Sequence, residues 1–197
     1  MENTFFAHAT AEVSPKASIG AGSKVWNLTQ IREDVVIGDD CILSKNVYID
    51  FGVKIGNRVK VQNNVSVYNG VTIEDDVFVG PCAVFTNDMT PRAVNPEWKV
   101  TETLVKHGAS LGANCTVVCG NTIGRYAMVA AGSTVTKDVP DHALVMGNPA
   151  RIAGYVYRTG ERVSLTHIQS AKDGVAVFIN PQDGEELQLQ AGNIQLR

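Results

Sequence analysis

Apolar residues recur along this chain at every sixth position. From Val13 the count runs through Ile19, Val25, Ile31, Ile37, Leu43, Ile49, Ile55, Val61, Val67, Ile73 and Val79 to Phe85, thirteen positions without a miss. The fifth place of each hexad is again small or branched: Ala17, Ser23, Thr29, Val35, Cys41, Val47, Val53, Val59, Val65, Val71, Val77 and Ala83. A helix repeats near 3.6 residues and a strand at 2, so neither produces a period of six. A hexad supplies one short strand and one corner. Such repetition marks a solenoid, in which each repeat buries its apolar side only by stacking on its neighbours.

Three hexads close a triangular coil. Gly20, Gly38 and Gly56 recur every eighteen residues, so like residues stack above like. Three faces follow: A with Ile19, Ile37, Ile55 and Ile73; B with Val25, Leu43, Val61 and Val79; C with Ile31, Ile49, Val67 and Phe85. The frame resumes at Val105, Leu111, Val117, Ile123, Val129 and Val135. At a strand spacing of about 4.8 Å, the little more than six coils make a prism roughly 30 Å tall. Fourteen extra residues separate Phe85 from Val105, which predicts a loop at about 88–104 inserted at one corner. It holds Pro91, Pro96 and Trp98, and a loop of that length in a tight fold is usually functional. Residues 1–12 are expected to cap the first coil, with Phe5, Phe6 and His8 over its open end. The solenoid occupies 13–152. Residues 153–197 read as a small antiparallel β tail over the last coil. Its strands are expected at 162–165, 175–179, 186–190 and 193–196, with turns at Asp173-Gly174 and Asp183-Gly184.

Composition narrows the partners. A formal charge of -3 on 197 residues lacks the basic excess that a nucleic-acid partner would want. No stretch approaches the length of a membrane span, and the first residues carry no charged n-region, so the cytoplasm is the expected compartment. Cys41 and Cys115 fall at small inward places, where a thiol packs as a hydrophobe. Together with Cys82 and Cys119 they are expected to be free, because Cys115 to Cys119 is not a zinc spacing. The histidines are spread over a cap (His8), a coil (His107), a turn (His142) and the tail (His167), too scattered for a triad of metal ligands, so no metal is expected.

Several segments carry more than the repeat: Lys60-Val61-Gln62-Asn63-Asn64-Val65-Ser66-Val67-Tyr68, Val84-Phe85-Thr86-Asn87-Asp88, Pro91-Arg92-Ala93, Leu111-Gly112-Ala113-Asn114-Cys115-Thr116-Val117-Val118-Cys119-Gly120 and Gly147-Asn148-Pro149-Ala150-Arg151. On these the chain resembles the hexapeptide-repeat acyltransferases, in the branch that N-acetylates nucleotide-linked 3-amino sugars. The resemblance implies an all-β, left-handed parallel β-helix, whose hand the general right-handed crossover rule would not supply. It also implies acetyl-CoA as co-substrate and a homotrimer with the coenzyme groove between prisms. The acceptor would be a UDP- or dTDP-linked amino sugar destined for a surface polysaccharide. Gln62, Asn63, Asn64, Tyr68, Phe85 and Arg92 would then serve the sugar nucleotide, since amides and a phenol suit hydroxyls and a base. Coenzyme A would meet the main chain near Ala113 and Ala131, and its phosphates would meet Lys137 and Arg151. Stacking by eighteen sets Asn46 below Asn64 and aligns Arg32, Asp50, Tyr68 and Thr86 on face C.

Acyl transfer to an amine needs a neutral nucleophile, a placed carbonyl, donors for the oxyanion and an exit for the proton. A sugar amine flanked by hydroxyls is weakly basic, so positioning supplies much of the rate. Asn87 is the leading candidate: its amide oxygen can accept a hydrogen bond from the amine, and the resemblance implies that the departing coenzyme A sulfur takes the proton. The rival is His107 as a general base over Asp75, one coil below. That alternative would also serve an O-acetyltransferase or a 4-amino-sugar N-acetyltransferase of the same fold. His142 and His167 are expected at the surface.

Overall fold

A computed structural model describes residues 4–190. The three faces form as three parallel sheets. Ile19 pairs with Ile37 and Ile37 with Ile55 on face A; Leu43 with Val61 and Val61 with Val79 on B; Ile49 with Val67 on C. Across the insertion Ile73 pairs with Val105 and Phe85 with Val117. The extra residues therefore leave at one corner while the coil continues. The fold is a left-handed parallel β-helix.

Most strands are only two residues long, for example Lys24–Val25 and Ser66–Val67, so their stability comes from stacking rather than from each ladder alone. The residue at each sixth place points inward: Val25, Ile49, Val61, Val79, Leu111 and Val117 are fully buried and belong to one cluster. Burying such an aliphatic side chain contributes about 1.5–3 kcal/mol relative to exposure. Gly38 recurs in the pattern because a Cβ there would lie 2.7 Å from the carbonyl carbon of Gly56 in the next coil. Polar corner residues bind the coils to one another. Asp39 Oδ1 accepts from the Ala21 amide at 2.8 Å, Asn57 Oδ1 from Asp39 at 2.9 Å, and Asp75 Oδ1 from Asn57 at 2.8 Å. Each of these side chains thus reaches back to the coil before it.

The two ends depart from expectation. Phe6–Ala7 already forms a strand paired with Lys24–Val25, so Ala7 takes the inward place and Phe6 the outward one. Phe5 and Phe6 are 37% and 47% exposed and do not cover the core; Phe6 meets the edge of Trp26, ring centroids 5.5 Å apart. At the far end Ala143–Gly147 continues face B, pairing Val145 with Val129, and Ala150–Tyr155 folds back antiparallel upon it. In the tail, Ile168–Lys172, Val175–Ile179 and Glu186–Gln190 form an antiparallel sheet, and the first hairpin turns at Asp173 and Gly174, both with positive φ. Ala176, Phe178, Leu187 and Leu189 pack in the same cluster as Tyr155, Tyr157 and the coils. The strand expected at 162–165 is an isolated bridge from Arg162 to Val156 followed by a 3-10 turn at Leu165–His167; the strand expected at 193–196 lies outside the described residues. All four cysteines are free, and burial pushes the Cys115 thiol up to about 11.

Candidate active site

The inserted loop is the one large break in the coil, and Asn87 stands at its start. Phe85 fills the core and Thr86 Oγ1 accepts from the Cys119 amide at 2.9 Å, so Asn87 is the first residue free to leave the prism. Its Nδ2 donates to the Asn69 carbonyl at 3.3 Å, and its own carbonyl accepts from Thr101 at 2.9 Å, closing the loop at its base. The returning strand of the loop packs on Gly70, where φ is 93° and an added Cβ would lie 2.3 Å from Val100 Cγ1. Both loop ends therefore rest on the Asn69-Gly70 corner. Asn87, Asp88, Arg92 and Trp98 line one cavity at the loop. Arg92 Nη1 donates to the Pro91 carbonyl at 2.8 Å.

Phe85 does not join them. It is 1% exposed, because the sixth-place rule that sends its neighbours inward governs it too. The other expected substrate residues flank face C. Gln62, Asn63 and Asn64 stand at the corner between B and C. Asn63 Oδ1 is spent on the Lys45 amide at 3.1 Å, and Asn46 Nδ2 donates to Asn64 Oδ1 at 3.0 Å. Tyr68, at the opposite edge and 38% exposed, meets Tyr48 edge-on with centroids 6.0 Å apart. Below them a polar groove is lined by Gln30, Asn46, Tyr48, Asn64 and Ser66, with Leu28 at its rim. Leu28 holds a φ of 60°, a conformation costly for a non-glycine residue, and is 55% exposed.

Ala113 and Ala131 continue the corner of Asn63 upward. The amide of Gly132 donates to the Ala113 carbonyl at 2.8 Å, and that of Cys82 to Asn63 at 2.9 Å. Lys137 and Arg151, fourteen residues apart in sequence, line one cavity at the top of the prism. Such a pair of cations suits an anionic ligand.

His107 lies elsewhere. It follows the strand Thr103–Val105, at the opposite end of that strand from the loop, so it does not converge with Asn87. Its expected partner is also different. Asp75 turns back to Asn57, accepting from the backbone amide at 2.8 Å and from Nδ2 at 3.2 Å, as every carboxyl or amide in that ladder does. Asp76 is the carboxylate beside the ring, with Oδ2 3.6 Å from Nδ1, and Arg58 already holds it at 2.7 Å. The Arg58 guanidinium keeps Asp76 below the usual carboxylate range, with His107 adding the least to that shift. His107 Nε2 is 3.0 Å from Tyr126 Oη, and its amide donates to Glu74 Oε2 at 2.8 Å. A corner residue's side chain can point to the coil before or the coil after. Counting by eighteen finds the backbone neighbour and misses that choice, so Asp76 and Tyr126 were not found. His142 is half-buried rather than at the surface, with Nδ1 3.0 Å from the Val156 carbonyl and its ring 5.2 Å from that of Tyr126. Half-buried His167 has its Nδ1 3.3 Å from Tyr157 Oη. Among the described residues no three His, Cys, Asp or Glu side chains gather as a metal-ligand set, and no helix is long and apolar enough to cross a membrane.

Comparisons with known proteins agree with the fold. The bacterial transferase hexapeptide family (six repeats) matches residues 16–50 and 52–87, and the hexapeptide repeat of succinyl-transferase matches 34–69 and 108–137. The dTDP-3-amino-3,6-dideoxy-alpha-D-galactopyranose 3-N-acetyltransferase of Aneurinibacillus thermoaerophilus is 50% identical over 167 residues, 85% of this chain and 86% of that protein. A hexapeptide-repeat acetyltransferase from Vibrio cholerae O1 biovar eltor, solved with acetyl coenzyme A, superposes with a TM-score of 0.57 at 28% identity over 62% of this chain and 70% of its own. Galactoside acetyltransferase in complex with coenzyme A shares the fold, with a TM-score of 0.57 at 24% identity over 64% and 66% of the two chains. The chain belongs to the hexapeptide-repeat acyltransferases, in the branch of acetyl-CoA-dependent N-acetyltransferases of nucleotide-linked amino sugars.

Proposed function

We propose that the chain transfers the acetyl group of acetyl-CoA to the 3-amino group of a dTDP-linked 3-amino-3,6-dideoxyhexose. The product would serve a surface polysaccharide, and the enzyme would act as a cytoplasmic homotrimer. The 50% identity to a 3-N-acetyltransferase of that substrate class supports the acceptor. The observation that carries the chemistry is the Asn87 amide. Its NH2 faces the Asn69 carbonyl, which leaves Oδ1 turned away and able to accept from an amine. That contact points the amine lone pair at the thioester carbon. The new N–C bond forms as the C–S bond breaks, and the amine proton goes to the departing thiolate. Asn87 cannot take a proton, and none is required of it.

Arg92 and Trp98 would wall the acceptor cavity, and Tyr68 would contact the hexose on face C. Asn64 lines the lower groove, with Gln62 and Asn63 at the same corner, and side-chain amides there suit a pyrimidine base. Ala113 and Ala131 offer main-chain groups to the pantetheine amides, and Lys137 with Arg151 offers charge to the phosphates. Base catalysis by His107 is not favoured, because Asn87 and the loop cavity lie at the other corner. The test is thiol release from acetyl-CoA against a panel of UDP- and dTDP-linked 3- and 4-amino sugars. Turnover with the dTDP-linked 3-amino-6-deoxyhexoses well above the rest is expected; preference for a 4-amino sugar or a UDP-linked uronate would overturn the assignment.

A further inference from the structure

Below Asn87 lies a buried carboxylate that this chemistry does not use. Asp50 is 8% exposed. Its Oδ1 accepts from Arg32 Nη1 at 3.0 Å, Tyr48 Oη at 2.9 Å and the Phe51 amide at 2.9 Å, and its Oδ2 accepts from the Asn69 amide at 3.2 Å. Burial opposes its charge, but the two amides, the phenol and the guanidinium outweigh burial and hold the carboxyl below its ordinary range. Arg32 is occupied in turn, paired with Glu33 at 2.6 Å and lying 5.2 Å over the Phe51 ring. A polar ladder that only solvates the wall would not need four donors on one buried group, since buried polar groups are costly unless fully satisfied.

Two of the four donors, the Phe51 and Asn69 amides, belong to one stacked corner, and that corner carries the loop. Asn69 gives its amide to Asp50 and its Nδ2 to the Phe51 carbonyl at 2.8 Å, while its carbonyl receives Asn87 Nδ2. Only an NH2 can face a carbonyl, so the position of the Asn69 carbonyl decides which way the Asn87 amide is turned. Resting on the role of Asn87 above, we infer that Asp50 is a positioning residue for acetyl transfer: it pins the backbone of Asn69 at its amide and thereby, through the carbonyl of the same residue, sets the oxygen of Asn87 toward the amine.

Steady-state kinetics of wild type, Asp50→Asn, Asn87→Ala and the double variant test this link. Asp50→Asn should lower kcat about tenfold, as loss of orientation does, with KM for acetyl-CoA changed less than about twofold. In the Asn87→Ala background the same substitution should cost less than about twofold, because residues acting as a unit are not additive. Losses that multiply in full, or an unchanged kcat in Asp50→Asn, overturn the inference. Should Asp50→Asn not fold, Tyr48→Phe removes one donor and is expected to show the same direction and the same non-additivity; its failure to do so overturns the inference equally. If wild type acetylates no amino sugar, the proposed function fails. The Asp50 link is then judged by hydrogen exchange: the Asn69 and Thr101 amides should lose protection in Asp50→Asn, and unchanged protection rejects it.

Discussion

An asparagine amide has a donor end and an acceptor end, and what its NH2 touches fixes what its oxygen can do. At Asn87 the donor end is taken by Asn69. Asn87→Ala is expected to lower kcat on the order of thirtyfold, while His107→Asn, beyond the strand Thr103–Val105 that follows the loop, should change it less than about threefold. Equal losses in both variants would restore His107 as a base. Asp50 gives a pH prediction of definite sign. Its folded pKa is depressed, so its contribution to stability is present above the unfolded carboxylate value and lost as pH falls below it. The gap in thermal midpoint between wild type and Asp50→Asn should therefore narrow as pH drops below about 4. A gap that stays constant down to the acid transition would mean that the carboxyl titrates alike in the folded and the unfolded chain.

The element that matters most is the insertion, because everything else in the prism repeats. Its two ends are seated on adjacent residues: Asn87 on the Asn69 carbonyl, and Val100 against Gly70. Gly70 has no side chain to spare there. Gly70→Ala places a methyl at 2.3 Å from Val100 and imposes an L side chain on a φ of 93°. The expected result is a displaced loop on an intact solenoid, with kcat reduced at least about tenfold. Circular dichroism should keep its β signature. A variant with normal kinetics would show that the loop base tolerates movement.

At the scale of the whole molecule, the tail and the solenoid share one apolar cluster rather than forming two units. Phe178 is fully buried in it, and Phe178→Ala should cost about 3–5 kcal/mol in a denaturant titration. The solenoid and tail signals should fall together, and separate transitions would mean that the tail folds apart. A homotrimer predicts a sedimentation mass about three times the 21.1 kDa of the chain. A monomer that still turns over would remove the shared groove from the mechanism.

The count by sixes and eighteens was enough to determine the prism, because each coil repeats one steric problem and the inward place can only be apolar. It assigned Ile73 over Ile55 and placed the loop at one corner, and the pairings agree. Carried one hexad further back, the same count sets Ala7 inward and Phe6 outward, as the pairing has it, so these first residues continue the repeat instead of capping it. Periodicity could not foresee the antiparallel return at Ala150–Tyr155, where the repeat stops and packing takes over. Corner side chains were the least legible. Backbone register puts Asp75 beneath His107, yet whether a carboxyl reaches to the coil before it or the coil after is settled only when every amide around it has found a partner. That same three-dimensional accounting of donors, invisible along the chain, turned Asp50 from one rung of a polar column into the support beneath Asn87.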